Sequence, residues 1–368
     1  MIRLGIAGIG TIANDYIGLI QDGRVTDVAI TALSSRSQSN LDRAKSRYGL
    51  SSVQVFTDYA TMLASGLIDA VLICTPHQEH PQMAIQAIDQ GLHILVEKPL
   101  GVDPVEVRLL VDHLAKHPHL TGGVMYNRRQ ASAYQRIKQL LQDGAIGDLV
   151  RVTWQITNLY RTAAYYRTSP WRGTWAGEGG GLLMTQASHQ IDLLLWLCGL
   201  PESVRAFCRT VEREIEVENE AVLFLQYPGN AWGQFIASAH ETPGSNRLEI
   251  CGTRGRIVIE NDSLVRVCIL AQDERDFACS AESPFAQPTL SCAKHIHHDQ
   301  DNRVQQAAAI QNFIDTINGR ATIACSLADA ANSLGIIQAA YLSDWTGQQV
   351  SVPPPEKVFQ TELAKHIG

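Results

Sequence analysis

Ile2-Arg3-Leu4-Gly5-Ile6-Ala7, a strand-compatible run, passes directly into Gly8-Ile9-Gly10-Thr11-Ile12-Ala13 and from there into a helix-compatible stretch. Strand, glycine-rich turn and helix in that order form a dinucleotide-binding fingerprint. Gly8 permits the tight turn, Gly10 has no Cβ to obstruct a pyrophosphate, and the small Ala13 lets the helix pack against the strand. The backbone N–H groups of Thr11, Ile12 and Ala13 at the helix N-terminus then face the phosphates.

Which dinucleotide is favoured turns on the end of the next strand, Val28–Leu33, which runs into Ser34-Ser35-Arg36-Ser37. An NAD site usually carries Asp or Glu here, to hydrogen-bond the ribose 2′-hydroxyl and repel a 2′-phosphate. No carboxylate is offered. Serine hydroxyls at Ser35 and the guanidinium fork of Arg36 suit a dianionic phosphate, so NADP is expected ahead of NAD. A second reading stays open, in which Arg36 stacks on adenine or caps a solvated loop and leaves the choice between NADP and NAD undecided.

Outward from this start, apolar strands and helical patterns alternate, with strands at 28–34, 53–55, 69–74, 92–96 and 119–125 and helices at 40–48, 58–65, 79–90 and 103–116. Such alternation predicts an α/β Rossmann domain with a doubly wound parallel sheet over residues 1–124. From 125 to 368 the pattern changes. Runs at 149–156, 204–208, 220–227, 232–239, 247–251 and 256–260 read as strands joined largely by turns, which predicts an α+β domain on an open, mainly antiparallel sheet. Helical periodicity returns at 304–318 and 326–345, and the polar stretch 271–301 reads as a loop over a site or an interface.

Two domains also follow from the length of 368 residues, beyond the size at which one hydrophobic core stops growing. No apolar run approaches the ~20 residues needed to cross a membrane, and the start lacks the segments of a secretory signal, so a cytoplasmic protein without a membrane partner is expected. A net charge of −7 argues against nucleic acid, which calls for a basic face. The eight cysteines include no Cys-x-x-Cys pair and are expected to be reduced and mostly buried. Cys279, Cys292, His295, His297 and His298 lack zinc-finger spacing, and no metal site is expected there.

Two further stretches carry chemistry. Glu97-Lys98-Pro99 directly follows the apolar strand 92–96, so Lys98 sits just past the carboxyl end of a parallel strand, where open α/β sheets place their ligands. Pro99 biases Lys98 toward extended geometry. A partly desolvated lysine near a cationic nicotinamide would have its pKa lowered and could serve as general base or acid on a hydroxyl. A surface lysine paired with Glu97 is the plainer alternative. The second stretch is Trp171-Arg172-Gly173-Thr174-Trp175-Ala176-Gly177-Glu178-Gly179-Gly180-Gly181, followed by a helical pattern through Thr185, Gln186, His189 and Asp192. Successive glycines allow close approach of backbone to ligand, and Thr185 and His189, four residues apart, share one helix face.

Gly8-x-Gly10-x-x-Ala13, Thr75-Pro76-x-x-x-His80, Glu97-Lys98-Pro99 and the Gly-Gly-Gly…His189-x-x-Asp192 block together resemble the Gfo/Idh/MocA family of sugar and cyclitol oxidoreductases, in order and spacing and over nearly the whole chain. The resemblance implies a nicotinamide cofactor on the N-terminal domain, lined by Thr75, Pro76, His80 and Glu97, and Lys98 with His189 as the catalytic pair at the reacting oxygen. It also implies a homodimer or homotetramer assembled through the C-terminal sheet. Two positions depart from the family pattern: Thr185 stands where many members carry aspartate, and His77 where asparagine often follows Thr-Pro. Within the family, the segment Tyr165 to Gly181 looks like the branch that includes levoglucosan dehydrogenase. Tyr166, Trp171 and Trp175 would offer faces to a pyranose, and Arg172 and Gln186 would donate to its hydroxyls. Tyr126 and Arg128, past the last parallel strand, would approach the same substrate. Alternatively, Trp171 and Trp175 only fill a domain interface. The expected reaction is hydride transfer between a secondary alcohol of a sugar, anhydrosugar or cyclitol and NAD(P). A non-catalytic dinucleotide sensor of the same fold is the alternative, against which Lys98 and His189 both speak.

Overall fold

The computed structural model describes residues 1–298 and 301–367, and the chain folds as two compact units, Met1–Gln130 with Asp301–Leu334, and Ala131–Gln300 with Gly335–Gly368. In the first, β1 (Ile2–Ala7), α1 (Thr11–Gln21), β2 (Val28–Ser34), α2 (Gln38–Tyr48), β3 (Gln54–Phe56), α3 (Tyr59–Leu63), β4 (Ala70–Ile73), α4 (His80–Asp89), β5 (His93–Val96), α5 (Pro104–Ala115) and β6 (Gly122–Val124) follow in order. The six strands form one parallel sheet in the order β3-β2-β1-β4-β5-β6. All four residues of β4 are buried, as a central parallel strand covered on both faces requires. Local chemistry sets the helix ends: Asp103 caps α5 by accepting from the amides of Val105 and Glu106, Pro104 follows as its first residue, and Gly49 closes α2 at φ 66°. The strand order reverses between β1 and β4, and ligands of such sheets bind past the carboxyl ends at that point.

The second unit contains α6 (Ser132–Gln142), β7 (Leu149–Ile156), four short helices, namely α7 (Ala163–Tyr166), α8 (Trp175–Glu178), α9 (Leu182–Thr185) and α10 (Ser188–Cys198), then β8 (Ser203–Arg209), β9 (Glu220–Gln226), β10 (Trp232–Ser238), β11 (Asn246–Gly252), β12 (Gly255–Glu260), β13 (Leu264–Leu270), α11 (Glu274–Ser280) and β14 (Leu290–Ile296). After α12 (Asn302–Ile317) and α13 (Leu327–Thr346), it ends with β15 (Val350–Ser351) and α14 (Glu356–Ile367). Its nine strands run β14-β13-β12-β11-β7-β10-β9-β8-β15, antiparallel except where β10 lies parallel to β7. One face is core: Trp154, Leu223, Phe235 and Leu248 are buried there, and the Trp154 indole donates to Asn246 at 3.1 Å. The opposite face carries Phe207, Phe224 and Trp232, all exposed.

Three expectations are corrected. The boundary near residue 124 is incomplete: 125–130 and 301–334 belong to the first unit, where Ala307, Ile310, Phe313 and Ile314 of α12 join the core formed by Leu4, Ile6, Ile17 and Leu33. The stretch 271–301 is not one loop. It contains α11 and the edge strand β14, with Asp299 and Gln300 outside the described residues. Nor are all the thiols reduced. Cys268 and Cys292 stand directly opposite on β13 and β14, with Cα atoms 4.1 Å apart, and form a disulfide, while only Cys325 of the others is fully buried. Cross-strand register, which spacing in sequence does not reveal, brings that pair together.

Candidate functional site

In the first unit the glycine turn has the geometry that a dinucleotide needs. Gly8 adopts φ +85°, and a Cβ there would lie 2.8 Å from the Cys74 carbonyl, so only glycine fits. Gly10 is the N-cap of α1 with no side-chain cap, and a Cβ on it would meet nothing within 4 Å. Open space thus lies where the amides of Thr11 and Ile12 begin the helix, while Ala13 is fully buried against the sheet. A cleft of about 510 Å³ is lined by Gly8, Gly10, Ser35, Arg36, Thr75, Pro76 and Glu79, and an adjoining one of about 770 Å³ shares Gly10 and Asn40 and adds Thr11, Asn14, Arg43 and Arg47. Residues and space here fit a nicotinamide dinucleotide. Arg36 lies at the rim, 84% exposed, with its guanidinium 3.1 Å from Glu79.

Two residues expected to line the cofactor are also tied into the frame of the first unit. His80 is completely buried, with Nδ1 2.9 Å from the Pro99 carbonyl and Nε2 2.8 Å from the Thr75 carbonyl. Its ring ties the loop after β4 to the turn after β5, and burial lowers its pKa against the pull of the two carbonyls. Glu97 is buried too. One carboxylate oxygen accepts from the Tyr16 hydroxyl, the other from the Lys98 amide at 3.0 Å, and burial pushes its pKa up. Lys98 itself is half-buried at the carboxyl end of β5, beside the half-buried Thr75 and exposed Pro76 of the neighbouring strand end. Tyr126 is buried and Arg128 half-buried. Arg129, which the sequence did not single out, is the anchored cation of that stretch, reaching the Ala324 carbonyl at 2.8 Å and Asp329 at 3.1 Å.

In the second unit Arg172 is the centre of a polar and aromatic cluster. Its guanidinium carbon lies 4.6 Å from the Tyr165 ring centroid and 4.7 Å from that of Trp171, and Nη1 donates to the Tyr165 hydroxyl at 2.7 Å. Gln186 Nε2 donates to the same hydroxyl at 3.2 Å. Arg172 Nε and Gln186 Oε1 are both buried without a hydrogen-bond partner, one a donor and the other an acceptor, as a ligand hydroxyl would require. Trp171 is exposed, and Tyr166, with its pKa pushed up to about 12 by burial, meets Tyr165 edge-on at 5.1 Å.

Trp175, in contrast, is spent on packing: its indole donates to the Glu216 carbonyl at 3.2 Å and its ring meets Tyr341 and Trp345 at 5.1 and 5.3 Å. Thr185 and His189 do not share a helix. The Ala187 amide bonds to Leu182 across five residues, α9 ends at Thr185, and α10 begins at Ser188 with the half-buried His189 in its first turn. The Thr185 hydroxyl donates to the Gly181 carbonyl at 2.7 Å.

The glycine triad is also explained from within the unit. A Cβ on Gly180 would strike the Tyr341 hydroxyl at 2.3 Å, and one on Gly181 the Glu218 carbonyl at 2.0 Å. Glu218 is buried and accepts from the amides of Gly181 and Leu183 and from the Tyr341 hydroxyl, at 2.8 to 2.9 Å, and burial raises its pKa to about 7. Glu178, likewise buried, accepts from the Gly173 amide at 2.7 Å. Neither carboxylate's partner set was readable in advance, because each is fixed by backbone amides and, for Glu218, by a residue 123 positions away.

Residues 2–123 match the oxidoreductase family with an NAD-binding Rossmann fold, and residues 134–258 match the GFO/IDH/MocA C-terminal domain. The chain belongs to the Gfo/Idh/MocA oxidoreductase family. An oxidoreductase of Formosa agariphila is 28% identical over 55% of this chain, a match spanning 63% of that relative's length. The WlbA dehydrogenase of Bordetella pertussis, solved with NADH and UDP-GlcNAcA, is 24% identical over 96% of this chain and 99% of its own, with a TM-score of 0.78. Levoglucosan dehydrogenase, solved with NADH and levoglucosan, is 22% identical over the same 96% and 99%, with a TM-score of 0.79. Among the described residues no helix is long and apolar enough to cross a membrane, and no group of three or more His, Cys, Asp or Glu is placed to hold a metal.

Proposed function

We propose that this family member is a nicotinamide-dependent dehydrogenase that oxidises a secondary alcohol on a sugar, anhydrosugar or cyclitol, or reduces the matching ketone. The observation that carries the reading is Lys98: its peptide is fixed at the end of β5, in the unit whose glycine turn opens onto the cleft. The bound dinucleotide supplies the hydride acceptor. Lys98 Nζ takes the hydroxyl proton, and His189 assists by hydrogen-bonding that oxygen or passing the proton to solvent. Arg172 Nε and Gln186 Oε1 are a donor and an acceptor for ring hydroxyls, and the exposed Trp171 offers an apolar face to the ring. NADP is the preferred cofactor, supported by the lack of any carboxylate at 34–37. The exposed face of the large sheet is the surface of a homo-oligomer.

Absorbance of the reduced nicotinamide, followed while the protein meets a panel of sugars, anhydrosugars and cyclitols with NAD and NADP in parallel, tests the reading. Turnover is expected, and Lys98→Ala should lower kcat by ~10²-fold or more with dinucleotide affinity retained. Wild-type turnover in that variant would remove Lys98 from the mechanism. Tight dinucleotide binding with no turnover on any substrate would favour a sensor instead.

A further inference from the structure

We propose that Tyr16 is a positioning residue for Lys98, acting through the Glu97 carboxylate. Tyr16 belongs to α1, the helix that starts at the glycine turn, and is 2% exposed. Its hydroxyl donates to Glu97, whose second oxygen accepts the Lys98 amide at 3.0 Å. The Glu97 amide is in turn fixed on the Ile73 carbonyl of β4 at 2.9 Å. A single buried carboxylate therefore links the dinucleotide-turn helix to the peptide of the lysine, and His80 holds the following residue by its carbonyl.

The same link sets the charge beside the lysine. The groups facing Glu97 are Tyr16 on α1, with Asp15 next to it, Cys74 past the end of β4, and Lys98. Burial opposes ionisation of Glu97, while the Tyr16 donor and the lysine favour it. Without the phenol hydroxyl nothing on α1 holds the Glu97 carboxylate in place, so its negative charge is no longer fixed beside the Lys98 peptide, and the lysine's pKa falls. Glu97→Gln removes that charge outright and acts in the same direction.

The inference rests on Lys98 being the proton acceptor, yet its test does not need turnover. Cyanate carbamylates only the neutral amine, so the pH dependence of Lys98 labelling, read by peptide mass spectrometry on the whole protein, reports its pKa. In Tyr16→Phe the midpoint should fall by about 0.5–1 pH unit, in Glu97→Gln by at least as much, and the double variant should match Glu97→Gln alone, as residues acting through one link do. With substrate, the acid limb of kcat/KM for alcohol oxidation should move down by the same amount. An unchanged Lys98 midpoint in Tyr16→Phe and Glu97→Gln, whatever happens to Tm, or additive shifts in the double variant, would overturn the link. A moved midpoint in a protein whose Lys98→Ala variant keeps full turnover would sustain the link and sink the catalytic reading.

Discussion

Arg36 pairs with Glu79, and a 2′-phosphate, were NADP bound, would be a second partner of different strength. An exposed ion pair such as Arg36 with Glu79 contributes ~0–1 kcal/mol, whereas a charge-assisted bond to a phosphate contributes roughly 1.5–3 kcal/mol, so a 2′-phosphate would draw the guanidinium away from Glu79. Arg36→Asp should therefore weaken NADP relative to NAD by about 10-fold or more, measured as the ratio of dissociation constants in fluorescence titrations. Equal affinities before and after would leave Arg36 without a part in cofactor choice. At this scale the turn at Gly8 and Gly10 and the helix start at Ala13 were legible because strand, turn and helix follow one another in the chain, whereas the Cys74 carbonyl that crowds Gly8 was not. The bonds that hold His80, Glu97 and Trp175 were not legible, because their partners, Pro99, Tyr16 and Glu216, come from other elements. The glycine triad was noticed but its reason was not: the close approach at Gly180 and Gly181 is to Tyr341 and Glu218.

The pair α9 and α10 shows what periodicity misses. A single helix carrying Thr185, His189 and Asp192 is what the spacing suggests, but the Ala187 to Leu182 bond closes a wide turn, and the start of α9 is held from outside by Glu218. Strands β2, β7 and β9 to β12 were legible nearly to the residue, since turns bracket them, whereas β14 was not, being an edge strand exposed along its whole length, with no alternation of buried and open positions. The buried Glu218 makes the stability of this element depend on pH. Its pKa is about 7 when folded against 4.5 when unfolded, so the folded state binds the proton more tightly. Stability from this group is full below about 4.5 and is lost as pH rises toward 7, a difference on the order of 3 kcal/mol. Urea unfolding of wild type and Glu218→Gln at pH 5 and pH 8 should show the wild type gaining on the variant at the lower pH. A constant difference between the two proteins would mean that Glu218 titrates normally.

Across the whole molecule, the nine-stranded sheet keeps one face covered and leaves the other with Phe207, Phe224 and Trp232 open, on three adjacent strands and, by register, on the same side. Rows of exposed aromatics on a sheet mark an association surface. Trp232→Asp with Phe224→Glu should convert a dimer or tetramer to monomers in sedimentation velocity with the fold intact by circular dichroism, and an unaltered sedimentation coefficient would place the interface elsewhere. The first unit is likewise more than its opening segment, because α12 carries Ile310, Phe313 and Ile314 into its core. On the ribosome, residues 1–130 emerge long before 301–334 exist, so this half of the protein waits through the synthesis of most of the other half with one wall of its interior missing. Its folding is therefore post-translational in part, and no cut of the gene at a single point can release it whole.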